Sequence, residues 1–438
     1  MSTIVAKFGG TSLADAEQFK KVVAVIKSDA NRRFVVPSAP GRSKSHDHKI
    51  TDLLYLCHSH VTQSLPFDDV FGHVAERYKG IVADGGVKID LGPKLKEIRT
   101  RIKGGASSDY AASRGEYLSG MILAAMLDIP FVDAAEVVRF GADGKLDSEA
   151  TQKAMEKRLG PLERAVVPGF YGSKPDGEIC VFTRGGSDVT GALVARGVDA
   201  DVYENWTDVS GLRMADPRVV PNPERIDTVT YRELRELAYM GATVLHDEAV
   251  FPVRQAGIPV HIRNTNKPKD AGTRILHEAA PTDRFGGLSG IAGKRDFTVL
   301  AIEKALMNQE LGFGRRVLDV IASHGISYEH TPTGIDSLSV VIDSEQIEGK
   351  LDAVLADLKS QCHPDVLEVY PNMALIAVVG RGMAHRPGVA ARVFAALADD
   401  RINVRMIDQG SSEINIILGV ETRDFERAVR AIYGAFVE

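Results

Sequence analysis

The sequence of 438 residues has only three cysteines, one tryptophan and no long apolar run. Cys57, Cys180 and Cys362 are far apart and form no C-x-x-C pair. Odd in number and scattered, they exclude a disulfide framework or cysteine zinc site and fit a reducing compartment. No stretch approaches the about 18 apolar residues of a membrane helix. The apolar opening Ile4-Val5-Ala6 breaks at Lys7, too short for a secretory signal. A cytoplasmic setting without a membrane partner is the expectation. Neither sign of charge dominates: 53 Lys and Arg face 59 Asp and Glu, a net charge of −6. That argues against nucleic acid as the main partner.

The composition is 44% hydrophobic and 26% charged, which excludes a disordered or fibrous chain. The length exceeds one ordinary core and predicts two or three domains. Up to about residue 270, short β-rich runs alternate with helical patterns. Thr3–Phe8, Phe34–Pro37, Asp201–Trp206 and Ile258–Arg263 read as strands. So do the apolar runs Phe131–Asp133, Ala165–Phe170 and Ile179–Thr183, taken as buried parallel strands. Asp15–Lys27, Ser108–Leu127 and Val189–Arg196 read as helices. Thr230-x-x-Glu233 is a capping box opening the helix Tyr231–Tyr239. This alternation predicts an α/β fold with a mostly parallel sheet and helices on both faces.

Beyond residue 295 the chain repeats itself. Leu311-Gly312-Phe313 corresponds to Pro387-Gly388-Val389, Ile326 to Ile402 and Gly334 to Gly410, each 76 residues apart. Each copy reads strand, glycine-started helix, strand, glycine turn, strand. The second adds an amphipathic helix with Phe425, Val429, Ile432 and Phe436 on one stripe. Two copies are too few for a solenoid, so paired α+β domains are expected. The boundaries are set at 1–280, 295–370 and 371–438.

Two strand-end turns carry the chemistry. In Lys7-Phe8-Gly9-Gly10-Thr11-Ser12, glycines let backbone N–H groups approach an anion, and Lys7 adds a full charge. Thr183-Arg184-Gly185-Gly186-Ser187-Asp188 repeats the logic, with Arg184 able to grip a carboxylate or phosphate. Either turn alone is as well explained by a tight βα connection with a capped helix, Ser187 being a good N-cap. Asn205-Trp206-Thr207-Asp208 and Asp216-Pro217-Arg218 form a third polar segment, which by itself reads as an ordinary turn. Glu116 is a charge in an otherwise apolar helix and needs a partner, a substrate ammonium or a salt bridge.

In this order, K-F-G-G-T-S, R-G-G-S-D, W-T-D-V…D-P-R and the doubled tail resemble the aspartate kinases of the amino-acid-kinase superfamily. The resemblance implies an eight-stranded α/β/α sandwich followed by two ACT domains. It implies transfer of the ATP γ-phosphoryl group to the β-carboxylate of L-aspartate, with Mg²⁺, opening lysine, threonine and methionine biosynthesis. It assigns Lys7 and Asp188 to catalysis, and Thr51, Glu116, Arg184 and Ser187 to aspartate. Gly9, Gly10, Thr11, Ser12, Gly185 and Gly186 would cradle phosphate. Thr207, Asp208, Arg213 and Arg218 would contact nucleotide. Arg213 stands where some members carry tyrosine, and Thr243 where some carry lysine. Met307, Phe313, Gly314, Tyr328, Glu329 and Thr331 would bind an effector amino acid, lysine before threonine, between subunits of a dimer or larger assembly.

Three features are decoys. Val378-Val379-Gly380-Arg381-Gly382 begins like a dinucleotide fingerprint, but His385 stands where the third glycine belongs. His246-Asp247-Glu248 cannot converge on one metal from a helix, and no protein metal site is expected. The loop Gly41–Lys49, with His46 and His48, reads as a solvated lid.

Overall fold

The computed structural model describes residues 2–242, 245, 248–280 and 283–437. It divides into two compact units. The first comprises Met1–Leu212, Asp227–Tyr231 and Val244–Ala279; the second comprises Arg213–Ile226, Arg232–Thr243 and Ala280–Glu438.

The first unit contains nine strands among its described residues: β1 (Ile4–Phe8), β2 (Arg32–Pro37), β3 (Ala165–Val166), β4 (Tyr171–Ser173), β5 (Ile179–Val181), β6 (Val202–Thr207), β7 (Thr228–Thr230), β8 (Val260–Asn264) and β9 (Thr273–Leu276). Seven of them form the main sheet, in the order β3-β2-β1-β6-β8-β9-β7. All neighbours are parallel except β8 and β9. The implied count of eight is thus seven here. Ile179–Val181 is not a buried parallel strand either: it pairs antiparallel with β4 as a separate hairpin. Phe131 contributes a single bridge to Val166. A short apolar run fits a hairpin or a lone bridge as well as a position in the main sheet, so apolarity alone misread them.

β1 is apolar because it is central. Ala6 and Phe8 join one core with Phe19, Val22, Leu118 and Ile122. Lys7 points to the opposite face, as strand alternation requires. The helix Ala16–Lys27 starts at Asp15, whose carboxylate accepts from Gln18 N, and buries Phe19, Val22, Val25 and Ile26. Ser107 caps the helix Ser108–Leu127 in the same way.

The second unit has one antiparallel sheet built from β10 (Gly290–Glu303), β11 (Ser337–Asp343), β12 (Val366–Val379), β13 (Met406–Asp408) and β14 (Asn415–Glu421), in the order β11-β10-β12-β14-β13. The long strands β10 and β12 pair along their whole lengths. Each bends at a left-handed residue, Asp296 (φ 71°) and Asn372 (φ 59°), one repeat apart. Past each bend, the start of one strand lies beside the end of the other. The two copies therefore share a sheet and complete each other. β10 serves both, pairing with β11 and with β12. Glycines 312 and 388 each precede a helix with φ of 79° and 92°, a conformation that favours glycine. The first copy also has a second helix, Leu351–Cys362, which the sequence reading gave only to the second copy.

Candidate active site

β1, β2, β6 and β8 end at one edge of the main sheet, as parallel neighbours must. Open α/β sheets bind ligands at such carboxyl ends, where strand order reverses. β1 is the reversal point, with β2 on one side and β6 on the other.

After β1 the chain turns at Gly9 and Gly10. Gly9 N donates to Trp206 O at 3.0 Å, and Gly41 N donates to Gly10 O at 2.8 Å. A Cβ on Gly10 would stand 2.9 Å from Ala39 O, so only glycine lets the turns after β1 and β2 come this close. Thr11 is exposed, while Ser12 is buried and its Oγ lies 2.8 Å from Thr265 Oγ1. At the second turn Gly185 is left-handed (φ 56°) and is itself the N-cap of the helix Gly186–Gly197. Ser187 is not the cap; it is buried in the first turn, packed against Gly169. Thr183 and Arg184 are exposed to solvent.

The two turns meet through one ion pair. Lys7 Nζ lies 2.5 Å from Asp188 Oδ1, and the Lys7 side chain is 9% exposed. Asn205 Nδ2 donates to the same oxygen at 2.7 Å. Beneath them, Glu204 accepts from Arg32 Nε at 2.6 Å, Trp206 Nε1 at 2.8 Å and Arg263 Nη1 at 3.1 Å. Burial works to raise the Glu204 acid. The hydrogen bonds from Arg32 and Trp206 and the charges of Arg32 and Arg263 nonetheless hold it below its ordinary value.

Glu116 joins this edge from the helix Ser108–Leu127. A Cβ on its neighbour Gly115 would lie 2.7 Å from Ala39 Cβ, so the helix presses on the turn after β2. The helix Ile50–Thr62 begins there too, with Ile50 N donating to Pro40 O at 3.1 Å, which places Thr51 in its first turn. Glu116 is buried, and its Oε2 has no hydrogen-bond partner. Burial pushes its acid up to about 8, against the Ala39 N–H and the charges of Arg114 and Lys7. A desolvated carboxyl group with one oxygen unpartnered at a sheet edge has room for a cation from outside.

Thr207 and Asp208 follow β6, with Thr207 Oγ1 donating to Asp208 Oδ1 at 3.2 Å. Arg213 and Arg218 belong to the second unit. Arg213 Nη1 donates to Pro223 O at 3.1 Å, and Arg218 is exposed and paired with Asp216 at 2.6 Å. The loop Gly41–Lys49 folds on itself, Ser43 and His46 exchanging backbone hydrogen bonds. Thr243, His246, Asp247 and the Glu248 side chain lie outside the described residues. Among the described residues no cluster of three His, Cys, Asp or Glu side chains could hold a metal ion. Among them, too, no helix is long and apolar enough to cross a membrane.

In the second unit, Met307 and Phe313 are core side chains, packed with Leu300, Ile302 and Val317. Their backbone N–H groups are engaged as well, Met307 N donating to Lys304 O at 3.1 Å and Phe313 N to Glu310 O at 3.3 Å. Gly314 follows in the same helix. Glu329 accepts from the Tyr239 hydroxyl. Tyr328 is exposed, and Thr331 is half-buried.

A model described as the amino acid kinase family matches residues 2–264, and an ACT domain matches residues 376–436. Aspartokinase 3 of Bacillus subtilis (strain 168) is 36% identical, over 99% of this chain and 98% of its own length. The chain belongs to the aspartokinase family. As a member of that family it is a kinase, with the amino acid kinase fold and a C-terminal ACT region. The crystal structure of Clostridium acetobutylicum aspartate kinase, described as an allosteric enzyme, has 54% identity and a TM-score of 0.93, over 99% of this chain and all (100%) of that one. Escherichia coli aspartokinase III has been solved with aspartate and ADP (27% identity, TM-score 0.76) and with lysine and aspartate (27%, 0.75), each covering 100% of both chains.

Sequence reasoning placed Asn205 in the third polar segment without giving it a role of its own, and it did not find Arg77. Arg77 is buried and donates to Ala14 O at 2.9 Å and Gly41 O at 2.6 Å, clamping the loops after β1 and β2. Nothing in the spacing marks Arg77. Asn205 does leave a trace: an amide, disfavoured in strands, inside the strand Val202–Thr207.

Proposed function

We propose that the chain transfers the γ-phosphoryl group of ATP to the side-chain carboxylate of L-aspartate, giving 4-phospho-L-aspartate and ADP. The observation that carries this reading is the Lys7–Asp188 pair between two glycine turns, beside the buried Glu116 carboxyl group with its unpartnered Oε2. The acceptor carboxylate is ionised at neutral pH, so the reaction needs no general base. Catalysis is then positioning and charge neutralisation. Lys7 stabilises the charge spread over the transferring group, and Asp188 orients Lys7. N–H groups at Gly10, Thr11, Gly185 and Gly186 cradle phosphate oxygens, with Gly9 and Ser12, whose own N–H groups are bonded within the fold, shaping the turn around them. Glu116 holds the substrate ammonium and Arg184 its α-carboxylate, with Thr51 and Ser187 alongside. Thr207, Asp208, Arg213 and Arg218 hold the nucleotide, which enters as its magnesium complex, the ion carried by the phosphates.

The reaction would open the biosynthesis of lysine, threonine and methionine in the cytoplasm; the three free, buried cysteines suit a reducing compartment. The C-terminal unit would sense an end product. Lysine is preferred, supported by the E. coli enzyme solved with lysine, and threonine is second. Backbone amides near Phe313 and Gly314, at a helix start, would take the effector carboxylate and Glu329 its ammonium, with Met307, Tyr328 and Thr331 around it. A dimer or larger assembly through this unit completes the reading. The test is ADP release from Mg·ATP and L-aspartate, with the acyl phosphate trapped as its hydroxamate, in the presence and absence of millimolar lysine or threonine. Aspartate-dependent hydroxamate is expected, suppressed by lysine. Product from glutamate or an acetylated amino acid in its place would refute the substrate assignment.

A further inference from the structure

We propose that Asn205 is a positioning residue for phosphoryl transfer: its amide fixes the Asp188 carboxylate, and thereby the Lys7 ammonium. The inference rests on the kinase reading above and adds a residue to its machinery.

The parallel register of β1 and β6 sets Asn205 directly beside Lys7. On its other flank stands Ile262 of β8. Alternation puts Tyr203 and Asn205 on one face of β6 and Glu204 and Trp206 on the other. Both residues of the first face hold Asp188. The Tyr203 hydroxyl donates to the Asp188 backbone carbonyl at 3.2 Å, and Asn205 Nδ2 donates to Oδ1 at 2.7 Å. Because a carboxylate only accepts, this contact fixes which way the amide points. Asn205 is 4% exposed, so its amide is invested in this site rather than in water.

Lys7 and Asn205 share one oxygen of Asp188. Lys7 has a flexible four-carbon stem and must turn its ammonium toward the incoming phosphates. A second donor on the shared oxygen keeps Asp188 in place while Lys7 does so. A neutral amide suits the task, since it adds no charge that would compete with Lys7 for the phosphoryl oxygens. Leucine has the right size but no donor. Aspartate has the same shape but donates only when protonated.

The test uses the full-length chain and the hydroxamate assay, with kcat and both KM values measured from pH 6 to 9 for wild type, Asn205→Leu and Asn205→Asp. Asn205→Leu is expected to lower kcat about 10-fold at every pH, with KM for aspartate and ATP within about 2-fold, the signature of an interaction that matters in the transition state. Asn205→Asp should lose about 100-fold at pH 8 and regain several-fold relative to wild type toward pH 6, as its acid becomes a donor. It nearly conserves volume, so it tests the idea even where the leucine variant fails to fold. Unchanged kcat in either folded variant, or an aspartate variant whose ratio to wild type ignores pH, would overturn the inference alone. Wild-type protein without aspartate-dependent product would sink the kinase reading, and this inference with it.

Discussion

In the first unit the middle of the sheet carries charged and polar side chains. Lys7, Arg32, Glu204 and Asn205 stand on the adjacent strands β1, β2 and β6, all nearly inaccessible to water. In the second unit the corresponding middle is β10 and β12, where Leu300, Ile302, Leu375, Ile376 and Val378 are buried and apolar. Desolvating charges costs free energy that apolar residues of similar size would not. The first unit bears that cost in its central strands, with Lys7 and Asn205 near their carboxyl ends and Arg32 at the opposite end of β2. In the second unit the same kind of position holds the fold together. On the proposed reading, the buried Lys7–Asp188 pair serves chemistry, while the buried hydrocarbon of the second unit serves architecture.

Two substitutions press this contrast from opposite sides. Lys7→Ala should lower kcat on the order of 10³-fold, equivalent to about 4 kcal/mol in the barrier. Its melting temperature should stay close to wild type, because Asp188 keeps its bond to Asn205. Steady-state rates and a thermal melt check both halves, and normal turnover would remove Lys7 from the mechanism. Leu300→Ala should do the reverse. It empties part of the core shared with Ile302, Phe313 and Val340, at a cost of about 3 kcal/mol in stability. Per folded molecule, kcat without effector should not change. Denaturant titration alongside rates gives the answer; a loss of kcat with intact stability would mean that the second unit's core does more than hold the fold.

The contrast also explains what could be read before the structure. Lys7, Asp188 and both glycine pairs were legible because turn chemistry is local: a strand end, a glycine and a helix start lie within six residues. The repeat was legible because it recurs at constant spacing. The sharing of strands was not. Nothing local states that the segment before Asp296 lies beside the end of β12 rather than inside its own copy. The same limit hid the role of Asn205, which meets Asp188 across seventeen positions, and Arg77, which reaches Ala14 and Gly41 across sixty-three and thirty-six. Ile179–Val181 failed for another reason: three apolar residues satisfy a buried parallel strand and a hairpin equally well.

Glu116 gives the smallest effect, and one that depends on pH. Its carboxyl group is buried with Oε2 unpartnered, and its acid lies at about 8 in place of 4.5. Without substrate it is therefore mostly protonated at neutral pH. Only the carboxylate can pair with an ammonium, so aspartate binding must expel a proton. The sign follows: KM for aspartate should fall as pH rises, by about 10-fold per unit below 8, and level off above it. The folded state also binds this proton more tightly than the unfolded chain does. The stability so gained is complete below pH 4.5 and is lost as pH climbs through about 8. Glu116→Gln keeps the shape and removes the titration. Its KM should be higher than that of wild type at pH 8 and flat across the range. Titration calorimetry in buffers of different ionisation enthalpy counts the proton directly. A wild-type KM that does not change between pH 6 and 8, with no proton released on binding, would show that the Glu116 carboxylate is not where the substrate ammonium sits.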